Sequence, residues 1–253
     1  MELMRILHKN YWKSGTILSS TNDNPQFPSE DTQNETKQTF WRTKATYIAS
    51  QVIILDALAP VECNMIALLN HNLTSGADID LQGGTDPGVT AGLSAVEHVT
   101  HYGTNLFFFF AGGSITKRYW KLTITDYAPN TYLQVGPIIL GKYWTVSENF
   151  NYLYGRGVED YSEVQFTDSR VVSAAVKAKP EGFTLPFRML TDGSALNVRE
   201  LIKEVGVHSP FVICFDYNYP NTNSYWMMLK NLDKPKCKSP DVWEWDADIE
   251  EAF

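Results

Sequence analysis

Residues 242–250, VWEWDADIE, change character at every step. Trp243, Trp245, Ala247 and Ile249 fall on one side. Val242, Glu244, Asp246, Asp248 and Glu250 fall on the other. Successive Cβ atoms of an extended chain point to opposite faces, so a period of two predicts a half-buried strand with its acids toward water. Upstream of it, residues 225–230 and 210–215 are apolar runs around the polar turn YNYPNTNS. Both are expected to be strands. Before these comes one helical pattern. Val198, Leu201, Ile202 and Val205 recur at i, i+3, i+4 and i+7, Asn197 and Glu200 have the spacing of a capping pair, and Gly206 supplies a stop. A helix over 198–206 is therefore expected. Residues 163–167, 170–177 and 183–189 add further strand-like runs.

The first 145 residues read as strands throughout. The runs are 47–55, 61–69, 77–82, 106–110, 117–124 and 131–140, with Ala59-Pro60 expected to turn the chain between the first two. In 77–82 the pattern is again alternating, with Asp78 and Asp80 outward. Gly, Asn, Asp and Pro separate the runs, and no segment carries a helical period, which predicts a sandwich. Two stretches read as long loops: 19–38, polar with two prolines, and 83–103, rich in Gly and Thr. Residues 146–160, with Gly155 and Gly157, read as a linker. The expected organisation is a β-sandwich over 1–145 and a smaller β-rich domain over 146–253 with one helix.

Composition narrows the function. The chain has 253 residues, 43% hydrophobic and 13% aromatic, and a formal net charge of −8. That balance opposes phosphate backbones, so nucleic acid is not an expected partner. The longest apolar run, 106–113, is far below a spanning length, so no membrane insertion is expected. The first residues, MELMRILHKNYWKSG, are too polar for a secretion signal, and synthesis in a cytoplasm is expected. Cys63, Cys214 and Cys237 are odd in number and widely spaced, which indicates neither a disulfide framework nor a zinc knuckle.

Catalytic patterns are missing. There is no G-x-S-x-G, P-loop or G-x-G-x-x-G. The acidic pairs Asp78/Asp80 and Asp246/Asp248 stand at strand period, as a solvated face would have them. His98 and His101 form an H-x-x-H in a stretch flanked by Gly and Thr, without the helix such metal sites use. No catalytic residue, metal or cofactor is expected, and the chain is read as a non-enzyme. Trp120, Trp243 and Trp245 are assigned to cores. Phe27, Trp41 and Tyr102, in or beside the long loops, are the candidates for stacking on a sugar or anchoring a partner.

The first half also resembles a known family. FWRT at 40–43, YIASQVIILDALAPVECNMIALLNHNL at 47–73, ADIDLQG at 77–83, KRYWKLTITD at 117–126 and VGPIILGKYW at 135–144 follow the order of discoidin-like, galactose-binding-like jelly rolls in tailed-bacteriophage virion proteins. Asn70, His71 and Asn72 stand at a strand-to-loop corner of that pattern, and Arg118 and Tyr119 on its R-Y strand. NVRELIKEVG, SPFVICFD, YWMMLKN and WEWDADIEEAF resemble the C-terminal part of tail-tip or baseplate proteins. The resemblance implies a mainly β chain with an N-terminal jelly-roll sandwich. It implies a structural component at the distal tail, a multimeric ring or adaptor whose partners are copies of itself and other tail proteins, located in the virion after synthesis in the host cytoplasm. The alternative it implies is a carbohydrate-binding module for host attachment, with a host surface glycan as partner.

Overall fold

The protein is described here by a computed structural model. It describes residues 3–44, 50–90, 94–100, 103–126, 132–150, 154–166, 172–175 and 179–252, without the side chains of 94–100, 163–166 and 172–175. The chain is mainly β and packs as two compact units. The first comprises Met1–Trp144 and Ile213–Ser224, the second Thr145–Val212 and Tyr225–Ala252.

The first unit is a jelly-roll sandwich. One layer is a five-stranded antiparallel sheet in the order Thr16–Ser20, Gln51–Cys63, Ile115–Thr125, Asp78–Gly84, Ser94–Thr100. The facing layer has three antiparallel strands, Ile138–Gly141, Met65–Leu68 and Leu106–Phe109. Alternation turns Ile53, Leu55, Ile79, Leu81, Trp120, Leu122 and Ile124 of the first sheet inward. They meet Ile66, Leu68, Leu106, Ile138 and Leu140 of the second, and all are buried. Trp120, wholly buried, is with Trp12 and Trp41 among the largest pieces of that core.

Three expectations change here. The chain does not turn at Ala59-Pro60, because Gln51–Cys63 is one strand with a register shift between Asp56 and Val61. Residues 57–60 stand opposite the single Arg118, so three extra residues are extruded as a bulge. Leu58 takes φ +67°, and its N–H donates to Asp56 Oδ1 at 2.8 Å. Arg118 donates from Nε and Nη2 to the two Asp56 oxygens, both at 2.8 Å, which pins the bulge to the neighbouring strand. Second, the stretch 83–103 contains a strand, Ser94–Thr100. Its SAVEHVT is rich in β-branched residues, and pairing with Asp78–Gly84 outweighs the Gly and Thr around it. Third, the polar stretch 19–38 is tied down. It holds a short 3-10 helix, Ser29–Gln33, whose Thr32 accepts from the buried Trp12 Nε1 at 2.9 Å.

In the second unit, Val242–Glu251 is the central strand. Glu181–Leu190 pairs along one side of it, with Gly155–Val158 beyond. Ser224–Leu229 and Lys236–Ser239 share the other side, the former on the C-terminal half and the latter on the N-terminal half. The strand Gly155–Val158 lies inside the stretch read as a linker, and it was hidden because two of its four residues are glycines. The helix spans Asp192–Val205, six residues longer at its start than the periodicity indicated. Thr191, not Asn197, is the cap, its hydroxyl accepting from Ser194 N at 3.4 Å. Gly206 ends the helix at φ +55°, where a side chain is strained. The helix buries Ala195, Val198, Leu201 and Val205. Trp245 is buried and stacks on Phe187 with centroids 5.5 Å apart. Trp243, assigned to the core, is only half-buried and donates from Nε1 to Asp192 Oδ1 at 2.5 Å.

Candidate ligand-binding end of the sandwich

Strand directions place four connections at one end of the first unit: 21–50, 69–77, 101–105 and 126–133. Phe27 and Trp41 belong to this end by position. The structure separates them. Trp41 is fully buried, and its Nε1 donates to Asp23 Oδ1 at 2.7 Å, so its indole has no surface for a ligand. Tyr102 lies outside the described residues. Phe27 is half-exposed and stacks on Phe40 with centroids 5.1 Å apart.

These rings surround a residue that the sequence reading did not single out. The Arg42 guanidinium carbon lies 4.6 Å from the Phe27 centroid, 4.9 Å from Phe40 and 4.0 Å from Tyr132. Arg42, Phe40 and Tyr132 are each half-buried. Arg42 Nη2 donates to Gln134 Oε1 at 2.9 Å, its Nε is buried without a hydrogen bond, and among the described residues no carboxylate pairs with it. Its charge is thus balanced mainly by ring faces, an arrangement that is stronger where water is partly excluded.

The loops that carry the cluster are stitched together by main-chain and amide hydrogen bonds. Arg42 N donates to Phe27 O and Asn24 N to Arg42 O, both at 3.0 Å. The corner residues of the family-like pattern do the rest. Asn70 Nδ2 donates to Lys37 O at 2.6 Å, Asn72 Nδ2 to Tyr132 O at 2.9 Å, and Gln134 N to Asn72 Oδ1 at 2.7 Å. His71 is buried between them, and its N–H donates to Thr104 O at 3.0 Å. Asn-His-Asn at 70–72 is therefore a stitch between loops, and Arg118 holds the Asp56 bulge.

Three carboxylates of the first unit, Asp23, Asp56 and Asp126, are held by other parts of the protein. Asp23 accepts from Trp41, Ser20 and Ser29, and Asp126 from the backbone and hydroxyl of Thr74. Arg118 holds the Asp56 carboxyl below the usual carboxylate range. Burial pushes the Cys63 thiol up and away from reactivity. Among the described residues no three of His, Cys, Asp and Glu gather as a metal ion would need. The side chains of His98 and His101 are outside the description. Among the described residues no helix is long and apolar enough to cross a membrane.

The second unit has a trough of about 530 Å³ floored by Gly155, Gly157 and Gly182. Its polar walls are mutually satisfied. Lys230 Nζ meets Glu159 Oε1 at 2.8 Å, and Asp248 accepts from Thr184 and Asn231, each at 2.8 Å.

No protein-family model matches the chain, and no curated protein does. Among solved structures it is similar to chitosan-binding module 1 from a chitosanase/glucanase of Paenibacillus sp. IK-5. That likeness has 16% identity, 53% of this chain, 100% of that chain and a TM-score of 0.45. It is also similar to CBM32 of AlyQ in complex with 4,5-unsaturated mannuronic acid, with 18% identity, 49% of this chain, 95% of that one and a TM-score of 0.39. A third is CpGH89CBM32-5 from Clostridium perfringens, in complex with GalNAc-β-1,3-galactose, at 13% identity, 53% and 100% coverage and a TM-score of 0.44. At these scores the likeness transfers no binding residue. The three are carbohydrate-binding modules; none is a phage virion protein, and the tail-tip part of the sequence resemblance finds no support in them.

Proposed function

We propose that this chain is a non-catalytic binding protein and that the loop end of its sandwich takes a glycan. One observation carries the reading: Phe27, Phe40 and Tyr132 gather half-exposed around Arg42 on loops already locked by hydrogen bonds. A pyranose offers an apolar C–H face and a rim of hydroxyls. Ring faces suit the first, and a guanidinium with a free Nη1 suits the second. Because the described residues that carry these rings are cross-tied, little ordering of them opposes binding. Among the described residues Asp23 and Asp126 of this end already accept hydrogen bonds from the protein, which supports a role in holding the glycan rather than hydrolysing it.

A glycan array, followed by calorimetry on the best ligands, tests the reading. Arg42→Ala and Phe40→Ala are expected to weaken binding about tenfold or more while the melting temperature stays within a few degrees. Wild-type protein that binds no glycan, or variants that bind as well as wild type, would reject it.

A further inference from the structure

A second aromatic surface stands at the same end of the sandwich. Tyr219 is 66% exposed, although large aromatic side chains are normally drawn into cores. It makes no ring contact and no side-chain hydrogen bond with any described residue. Exposure of a lone ring is ordinary on a loose loop, but this turn is not loose. Tyr219 N donates to Asp216 O at 3.2 Å, and Tyr219 O accepts from Thr222 N at 3.1 Å and Asn223 N at 3.0 Å. Phe215 N closes the turn onto Asn223 O at 2.9 Å. Asn221 Oδ1 accepts from Phe107 N at 2.8 Å, which fastens the turn to the strand Leu106–Phe109 of the sandwich.

Beside the ring is an open cavity of about 440 Å³, lined by Gly103, Asn218, Tyr219, Pro220, Asn221 and Thr222. Its lining has no charged side chain. Asn218 is exposed, and its side chain has no partner among the described residues. Gly103, at φ +78°, has nothing within 4 Å of where a Cβ would stand, so that side is open. A rigid aromatic face with neutral amides and a hydroxyl around it matches a neutral, hydroxyl-rich ligand. The loop that contributes Gly103 is joined to the Arg42 cluster by a run of hydrogen bonds. Thr104 O accepts from His71 N at 3.0 Å, Asn105 Oδ1 from Asn70 N at 2.9 Å, and Asn72 connects onward to Gln134.

We infer that Tyr219 is a second stacking platform, and that the ligand is an oligosaccharide long enough to reach it from the Arg42 cluster. This rests on the glycan-binding reading above and extends it from a ligand class to a ligand length. The loops between the two platforms are hydrogen-bonded to one another, so their spacing is fixed and selects for chain length.

The test uses the full chain and the neutral glycan that ranks highest on the array, supplied as its series from one to six sugar units. Wild-type affinity is expected to rise with length. Tyr219→Ala is expected to bind the shortest members like wild type and to lose about threefold to tenfold on the longer ones. Tyr219→Phe, which keeps the ring, should restore the length dependence. Because the side chain is exposed and makes no hydrogen bond or ring contact with a described residue, neither variant should change the melting temperature. Tyr219→Ala that matches wild type at every length overturns the inference and leaves the Arg42 site standing. Equal losses on short and long chains also overturn it, since Tyr219 would then belong to the first site. Wild-type protein that binds no member of the panel removes both the inference and the reading beneath it.

Discussion

Trp41 shows how far a side chain's role depends on depth. Its ring lies wholly inside, and its single polar atom meets Asp23, a carboxylate that also gathers Ser20 and Ser29. Trp41→Phe would keep most of the packing and leave that carboxylate one donor short. It should cost about 1–3 kcal/mol, measured by denaturant unfolding, with glycan binding altered only as far as the loops loosen. Asp56 invites a pH experiment. Its folded-state pKa is depressed, chiefly by the hydrogen bond from Arg118. A depressed carboxylate contributes stability above its unfolded pKa, and that contribution fades as pH falls through the folded value. Asp56→Asn should therefore lower the melting temperature at pH 7, and the gap to wild type should close below about pH 4. A gap that stays constant down to pH 2 would assign the bulge's stability to packing instead.

At the scale of elements, the closing strand Val242–Glu251 was the most legible part of the chain and still held a surprise. Its alternation was readable because one face is apolar and the other acidic. The sequence could not show that the acidic face is matched by neighbours remote in the chain. Glu244 meets Lys238 at 3.1 Å, Asp246 meets Arg188 at 2.5 Å, and Glu250 accepts from Tyr161 at 2.6 Å. A face read as turned toward water thus finds cations and donors within its own unit. Trp245→Ala removes a buried ring stacked on Phe187 and should cost about 3–5 kcal/mol in unfolding free energy. Reversing Glu244 and Asp246 to Lys breaks two exposed ion pairs and should cost far less, about 1 kcal/mol or under. If the order of those two losses is reversed, the strand's faces have been misassigned. What the sequence hid follows the same logic. Gly155–Val158 lacks side chains to alternate, Ser94–Thr100 is a strand by virtue of its partner, and the helix begins at a Thr191 cap outside the apolar period. Of the candidate site, Phe27 and the loop end were legible. Arg42 was not, since a cation between rings has no spacing signature, and Tyr219 was read only as part of a polar turn.

On the scale of the whole molecule, the units do not follow the order of the chain. A boundary near residue 146 divides the sequence reading, yet Ile213–Ser224 belongs to the first unit. Limited proteolysis within 146–160 is therefore expected to nick the chain without releasing a free fragment of 1–145. The downstream piece holds Asn221, which accepts from Phe107 N inside the sandwich. On gel filtration the nicked protein should elute as one species, and separate in denaturant. Two species under native conditions would show that the segment 213–224 adds little to the first unit.

That interleaving also sets a timetable. During synthesis Trp144 is made about 80 residues before Ser224, the last residue of the 213–224 segment. At about 5–20 residues per second, the nascent sandwich waits roughly 4–16 s for its missing piece. Throughout that interval Phe107 and its strand stand beside the ribosome without the turn that fastens them. The protein's most vulnerable moment for mispairing is then set by elongation speed, and slow codons between residues 145 and 212 would lengthen it.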